Sequence, residues 1–340
     1  MKKAILILFL TLIILTLYAA WNLFGPTVSA PESKYFYIKT QASYNDVIRS
    51  LQSQKIIKGP FFFDKIARRV KYNQRIRPGR YEIIDGSSLV ALVKMLKGGR
   101  QSPVKLVINK LRTKEDLAGK IGNLFEADSA QIMAFITNKD SLVHYKLDTN
   151  TVMTIVIPNT YLITWNGTFK KLFGRLLAEH DQFWDKERTS KAVAIGLTPE
   201  QVYTMASIVE EETNKKEDKG FIASVYLNRM HKGMKLEADP TVKYAMRNFG
   251  LKRILHGHLA YQSPYNTYQQ MGLPPGPIST ASSNSIDAVL NAPQTDYIFF
   301  VAKPDFKGYS NFASTYKEHL LFAKAYQKAL DSLIISKKTQ

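Results

Sequence analysis

The sequence predicts an α+β chain led by a membrane-spanning helix, and three observations predict it. Two lysines at the start are followed by an almost unbroken apolar run. Helix-period and strand-like segments then alternate with no internal repeat. The 340 residues, 45% hydrophobic and 11% aromatic, exceed one typical domain and suffice for a sizeable core beyond that first segment.

The first element is the apolar run Ala4 to Ala20, extended by Trp21, Leu23 and Phe24. It reaches the roughly 20 residues that a helix needs to cross a bilayer, and Lys2 and Lys3 hold its start in the cytoplasm. A cleaved leader is the rival reading, because Val28-Ser29-Ala30 resembles a small-residue cleavage site. A leader's apolar core is only about 7 to 15 residues, however, and Pro31 is a poor residue to follow a cut. Residues 1–24 are therefore expected to stay as a single-pass anchor in the plasma (inner) membrane, with the chain beyond residue 25 on the extracytoplasmic side.

Residues 25–35, rich in Pro, Gly and Ser, read as a linker, and residues 36–102 as a small α+β domain. Its strand starts at Tyr35-Phe36-Tyr37-Ile38; Ser43 caps a helix bearing Val47, Ile48 and Leu51; Pro60 to Val70 reads as a second helix. Pro78-Gly79 turns into an extended Arg80 to Ile84, and Asp85 to Ser88 start an apolar-periodic helix that ends at Gly98-Gly99.

Charge and cysteine usage narrow the partners. The formal charge of +19 is unevenly placed: residues 36–100 hold fourteen Lys or Arg against Asp46, Asp64, Glu82 and Asp85, a net of +10 beside the anchor. No zinc-finger spacing, aromatic RNA-binding pattern or basic heptad region occurs, which argues against nucleic acid. The polyanions expected outside a membrane are lipid headgroups and the carboxylates of the wall. Cysteine is absent, which removes disulfides, thiol nucleophiles and cysteine metal sites and suits an oxidising compartment.

A larger mixed α+β domain is expected over residues 103–335. It opens on the strand Val104 to Ile108 and a helix capped by Thr113 with Asp116 three residues on. Ile155 to Tyr161 reads as an apolar strand that breaks into a polar turn at Pro158, and one long amphipathic helix is expected from Thr168 to about Thr189.

The segment Thr198 to Thr213 carries the chemistry. Thr198 caps, Pro199 takes the first helical position and Gln201 completes a capping box. At about 100° per residue, Val202, Met205, Ala206, Ile208 and Val209 gather on one arc. Of the three glutamates that close the helix, Glu211 is expected on the solvent face, Glu210 at the arc's edge, and Glu212 on the apolar arc between Met205 and Ile208. Desolvation disfavours the charged form of such an acid and raises its pKa, as a general acid requires. A solvated glutamate run is the bland alternative, yet acids at a helix C-terminus oppose the macrodipole, a local cost that a purely structural helix has no need of.

Several blocks stand in order at fixed spacing: Met205-Ala-Ser-Ile-Val-Glu-Glu-Glu-Thr213, Ala223 to Arg229, Gly233 to Leu236, Asp239 to Tyr244, Tyr265 to Tyr268, Gly272 to Ile278 and Phe312 to His319. With the anchor ahead of them, they identify a chain that resembles the MltG or YceG-like endolytic murein transglycosylases over nearly its whole length. The resemblance implies a peptidoglycan lytic transglycosylase, with Glu212 as the catalytic acid, a LysM-like first domain, and peptidoglycan glycan strands as substrate beside the peptidoglycan synthases of elongation or division. Such an enzyme protonates the oxygen leaving N-acetylmuramic acid. As carboxylate it then takes the proton of that sugar's own C6 hydroxyl, closing a 1,6-anhydro ring without a second protein carboxyl. Two departures stand out: Glu211 where relatives often carry Lys, and Asn159 after Pro158 where relatives often carry Asp.

Substrate contact is expected from Asn266 and Tyr268, with Asp239, Tyr244 and Glu210 as further candidates. Asp239 also reads as a helix cap ahead of Pro240. His256-Gly-His258, His231 and His319 form no metal-binding motif, so no metal and no cofactor are expected; His319 reads first as a helix cap. The alternative of another class is a membrane-tethered wall-binding or scaffold protein that holds glycan without cutting it.

Overall fold

A capping box, an αL glycine and two short strands shape the first part of the chain. The structure, a computed structural model, describes residues 2–338. These form two compact units; the first runs to Leu106 and also takes in Gly122–Asp128 and Tyr161–Thr168.

In the first unit, α1 (Lys2–Phe24) buries no side chain and is, among the described residues, the one helix long and apolar enough to cross a membrane. The order then runs β1 (Tyr35–Ile38), α2 (Tyr44–Ser53), α3 (Pro60–Arg69), β2 (Gly79–Glu82) and α4 (Leu89–Gly98). β1 and β2 pair antiparallel, with Tyr35 opposite Glu82 and Ile38 opposite Gly79. Alternation puts Phe36 and Ile38 inside and Tyr37 outside. Ser43 and Asp46 close a reciprocal capping box on α2, and Gly99, at φ +66°, ends α4 in the left-handed conformation that glycine adopts without strain. Phe36, Leu51, Phe63, Tyr72, Tyr81 and Leu96 meet in one core.

Two expectations change here. The linker is not free chain: Val28 is buried, donates its N–H to the Ser87 carbonyl at 3.0 Å and accepts from Gly86 N–H at 2.9 Å. An apolar residue in a Pro/Gly/Ser stretch gains more from the core than from water. The two later segments join the unit through specific contacts. The Glu126 carboxylate accepts from the Thr40 N–H and hydroxyl at 2.7 and 2.5 Å, and Trp165 meets Tyr37 edge-on.

Onward from there, β3 (Val104–Ile108) is followed by α5 (Lys114–Gly122), α6 (Ser129–Thr137), α7 (Lys139–Val143) and β4 (Asn159–Ile163), and β3 pairs with β4. Thr113 and Asp116 cap α5 as expected. The strand starts after Pro158 rather than before it. Proline has no N–H for a ladder, and Val152–Ile155 coil into a buried 3-10 turn instead. The single long helix is also two, α8 (Phe169–Phe183) and α9 (Lys186–Ala194), because Asp185 caps a new start by accepting from Arg188 N–H at 2.8 Å.

The second unit is built around α10 (Pro199–Glu212), whose capping box on Thr198 and Gln201 forms as read. After it come α11 (Lys216–His231), α12 (Asp239–Ala245), α13 (His256–Leu259), α14 (Ser283–Leu290), the antiparallel pair β5 (Phe299–Ala302) and β6 (Ser310–Ala313), and α15 (Tyr316–Lys338). α10 is not amphipathic in place. Val202 to Val209 are buried on every face, against α11, α12 and α14. Val202, Met205, Ile208 and Val209 contribute about 1.5 to 3 kcal/mol each when fully buried, so this helix is a fixed post rather than a moving part. Its polar side chains hold loops. Tyr203 Oη donates to the Val156 carbonyl at 2.6 Å and accepts from Ala281 N–H, and Ser207 Oγ accepts from Ile278 N–H at 3.0 Å.

Candidate active site

The last turn of α10 delivers three carboxyls to three different surroundings. Glu212 ends the helix partly accessible, on the wall of a cleft of about 360 Å³. Leu236, Phe299, Phe300 and Tyr316 supply its apolar surface, and Arg229, Glu237, Asp239, Tyr268 and His319 its polar groups. Tyr226, one turn before the end of α11 and buried edge-on against Phe300, donates from Oη to Glu212 Oε1 at 2.7 Å. Burial pushes the Glu212 carboxyl up from 4.5 to about 7; the Tyr226 hydrogen bond opposes this, while the charges of Asp239 and Glu211 add to it. A carboxyl that titrates near neutrality both gives and recovers a proton at the working pH.

Glu210 faces the other way. Its Oε2 accepts from Lys219 Nζ at 3.0 Å and Ser282 Oγ at 2.6 Å, and from Ser285 Oγ in a short bond. Burial alone would raise this carboxyl, but these three donors outweigh it and hold it below its ordinary value. Glu210 therefore ties α10 to α11 and α14 as a fixed anion.

Glu211 is not on the solvent face. It is largely buried in ion pairs with Lys110 at 2.7 Å and Arg112 at 3.2 Å. It lines a small recess with Lys243, Tyr244 and Phe249.

The remaining candidates separate. Tyr268 lines the cleft and donates from Oη to Asp239 Oδ1 at 2.7 Å. Asp239 does not cap α12, which has no side-chain cap; its carboxylate turns to the cleft and to Tyr268. Tyr244 packs on Tyr265 and Phe249 in the Glu211 recess rather than beside Glu212. Asn266 is fully buried. Its amide donates to the carbonyls of Leu259 and Tyr261 at 3.0 and 2.8 Å, and its oxygen accepts from Tyr268 N–H, so it braces the loop that presents Tyr268. His319 lies inside the first turn of α15, stacked on Phe299 at 5.1 Å and facing the cleft.

Tyr226, Arg229, Glu237 and Phe299 had no role assigned from the sequence. Arg229 is buried and donates to the carbonyls of Ile298, Lys235 and Leu236 and to Glu237 Oε2 at 3.0 Å, fixing the cleft's rim. An arginine two residues past the run Ile222 to Leu227 was the available signal; only folding shows where it points.

The family model described as "YceG-like family" matches residues 36–325. The chain belongs to the YceG-like family. A protein of Bacillus subtilis (strain 168) named "Endolytic murein transglycosylase" is 45% identical over 132 residues, covering 39% of this chain and 35% of that protein. One of the same name from Streptococcus pneumoniae (serotype 2, strain D39) is 28% identical over 345 residues, covering 88% of this chain and 61% of that protein. The matches thus span between about a third and three-fifths of the length of these curated relatives. The crystal structure of a YceG-like protein from Listeria monocytogenes superposes with a TM-score of 0.56 at 27% identity, over 85% of this chain and 98% of that one.

Proposed function

We propose that the chain is an endolytic peptidoglycan lytic transglycosylase that cuts between N-acetylmuramic acid and N-acetylglucosamine, with Glu212 as acid and then base. The observation that carries this is one carboxyl on a cleft wall, raised to about 7 and held by Tyr226 at a single oxygen. The other oxygen is left to the substrate. Protonation of the glycosidic oxygen breaks its bond to C1 of the muramoyl sugar. The carboxylate then removes the proton of the C6 hydroxyl as that oxygen closes on C1, and Glu212 returns to its starting form. Phe299, Phe300 and Tyr316 offer apolar faces to sugar rings. The relatives' printed names support this substrate class.

A second reading rests on the same cleft, because Asp239 and Glu237 also line it. A two-carboxyl hydrolase would use one of them as base or nucleophile. Asp239 accepts from Tyr268 and Glu237 from Arg229, each at one oxygen as Glu212 does from Tyr226, so the products decide between the routes. Incubating the full chain in detergent with intact peptidoglycan and analysing the products by mass spectrometry separates the readings. 1,6-Anhydro-muramyl ends support the transglycosylase, free reducing ends the hydrolase, and unchanged glycan the non-catalytic binding protein.

The setting belongs to the same proposal. α1 anchors the chain in the plasma membrane with the second unit on the extracytoplasmic side, where peptidoglycan synthases extend the strands it cuts. The β-α-α-β order of residues 35–82 and its antiparallel pair support the LysM-like reading of the first unit.

A further inference from the structure

The end of α1 is not a bare stalk. Tyr18 packs edge-on against Phe62 of α3 at a ring separation of 6.0 Å, and α1 also touches α4. A cavity of about 460 Å³ opens between these elements, lined by Tyr18, Asn22, Lys58, Phe61 and Phe62 among others. Phe61 is 63% exposed and meets Phe62 edge-on, and Lys65 Nζ lies 5.7 Å over its ring. Large aromatic side chains left in water this way mark a surface that something covers.

Depth says what covers it. Tyr18 is six residues from the end of α1, roughly 9 Å along the axis at 1.5 Å per residue. In a helix of 23 residues, about 35 Å long and centred on an apolar core about 30 Å thick, Tyr18 stands about 7 Å inside the acyl boundary, the depth at which the apolar face of an interfacial helix lies. Whatever packs on Tyr18 stands there too. Phe61 and Phe62 are then aromatics at interfacial depth, and Lys58 and Lys65 lie at headgroup level, an arrangement that suits an anionic membrane surface.

We propose that the N-terminal half of α3 is a second, monotopic membrane contact, in which Phe61 enters the bilayer interface and Lys58 and Lys65 engage an anionic phospholipid headgroup beside Tyr18 and Asn22. The inference rests on the reading of α1 as a membrane span and goes beyond it. A single span leaves the first unit free to swivel, whereas two contacts fix its height and tilt over the membrane.

The chain contains no cysteine, so single cysteines report one site each. Phe9→Cys, Phe61→Cys and Val193→Cys, each spin-labelled in the full chain, are reconstituted in nanodiscs of phosphatidylcholine with and without phosphatidylglycerol. Accessibility to oxygen against a water-soluble nickel chelate gives depth by electron paramagnetic resonance. The proposal expects the label at 61 at interfacial depth, between a buried label at 9 and an aqueous label at 193. It also expects the label at 61 to be deeper with phosphatidylglycerol, and Lys58→Glu with Lys65→Glu to remove that lipid dependence. A label at 61 as aqueous as at 193, with the label at 9 buried, overturns the docking and leaves the anchor standing. An aqueous label at 9 overturns the anchor, and the docking with it.

Discussion

Glu210 and Glu212 stand two residues apart on one turn of α10, and the fold treats them as opposites. Glu210 meets an ammonium and two hydroxyls and is held below its ordinary value. Glu212 is desolvated on the wall of a mixed cleft and meets one phenol and two acidic neighbours, against which Lys243 acts in part, and rises to about 7. Burial pushes both the same way; the count of donors decides the sign. One is thus a structural tie that needs its charge, and the other, in the function we propose, a carboxyl that loses and regains a proton.

The largest expected effect breaks the reactive side of this contrast. Glu212→Gln keeps the Tyr226 hydrogen bond but carries no transferable proton, so anhydro-muramyl product should fall by roughly a hundredfold to ten-thousandfold. Folding should survive. The raised carboxyl makes the folded state bind a proton that the unfolded state lacks between pH 4.5 and about 7, so this group's contribution falls as pH rises through that window. Glu212→Gln should therefore be at least as thermally stable as the parent at pH 8. Product at the parental level from matched, folded Glu212→Gln would falsify the assignment.

Lys219→Met tests the structural side. It strands Glu210 with a partly buried charge, which costs about 3 to 5 kcal/mol when an ion pair loses one partner. The linkage sign is opposite to that of Glu212: a lowered carboxyl stabilises above 4.5, and that stability is lost as pH falls through its depressed folded value. Chemical denaturation of parent and variant at pH 7 should show the deficit, and removing the anion as well, in Lys219→Met with Glu210→Gln, should restore part of it. An unchanged midpoint in the single variant would dissolve the contrast.

Tyr226→Phe sharpens it. The phenol lowers the Glu212 value, so its loss should move the alkaline limb of the activity profile above about 7, with a rate loss near tenfold from poorer positioning. A limb moving downward would mean that Tyr226 acts otherwise. The smallest effect belongs to Glu211→Gln, which relaxes two partly exposed ion pairs and removes a charge that raises Glu212. A rate within about threefold of the parent and a limb shifted slightly down are expected, since Glu211 lines a separate recess and not the cleft of Glu212.

Local signals carried far in this chain. The long apolar α1, the caps at Ser43, Thr113 and Thr198 and the strands and helices of the first unit were legible because each depends on residues close in sequence. The breaks were local too, though harder to see. Asp185 outcompeted helix continuation and Pro158 displaced a strand, since one side-chain or missing backbone hydrogen bond decides between near-equal states.

The sequence by itself determined that α10 exists, where it starts, and that an acid would sit at its apolar end. Only the tertiary structure decided what each acid meets. α10 is buried all round, so a one-sided helical arc cannot assign faces, and Glu211 turned out paired where water was expected. The partners come from far along the chain: Lys110 for Glu211, Ser282 and Ser285 for Glu210, Tyr226 and Asp239 for Glu212. The same holds for Asn266, whose amide the loop consumes, and for His319, which stacking on Phe299 brings to the cleft. A pKa depends on charges, donors and solvent within a few ångströms, and those distances exist only after packing.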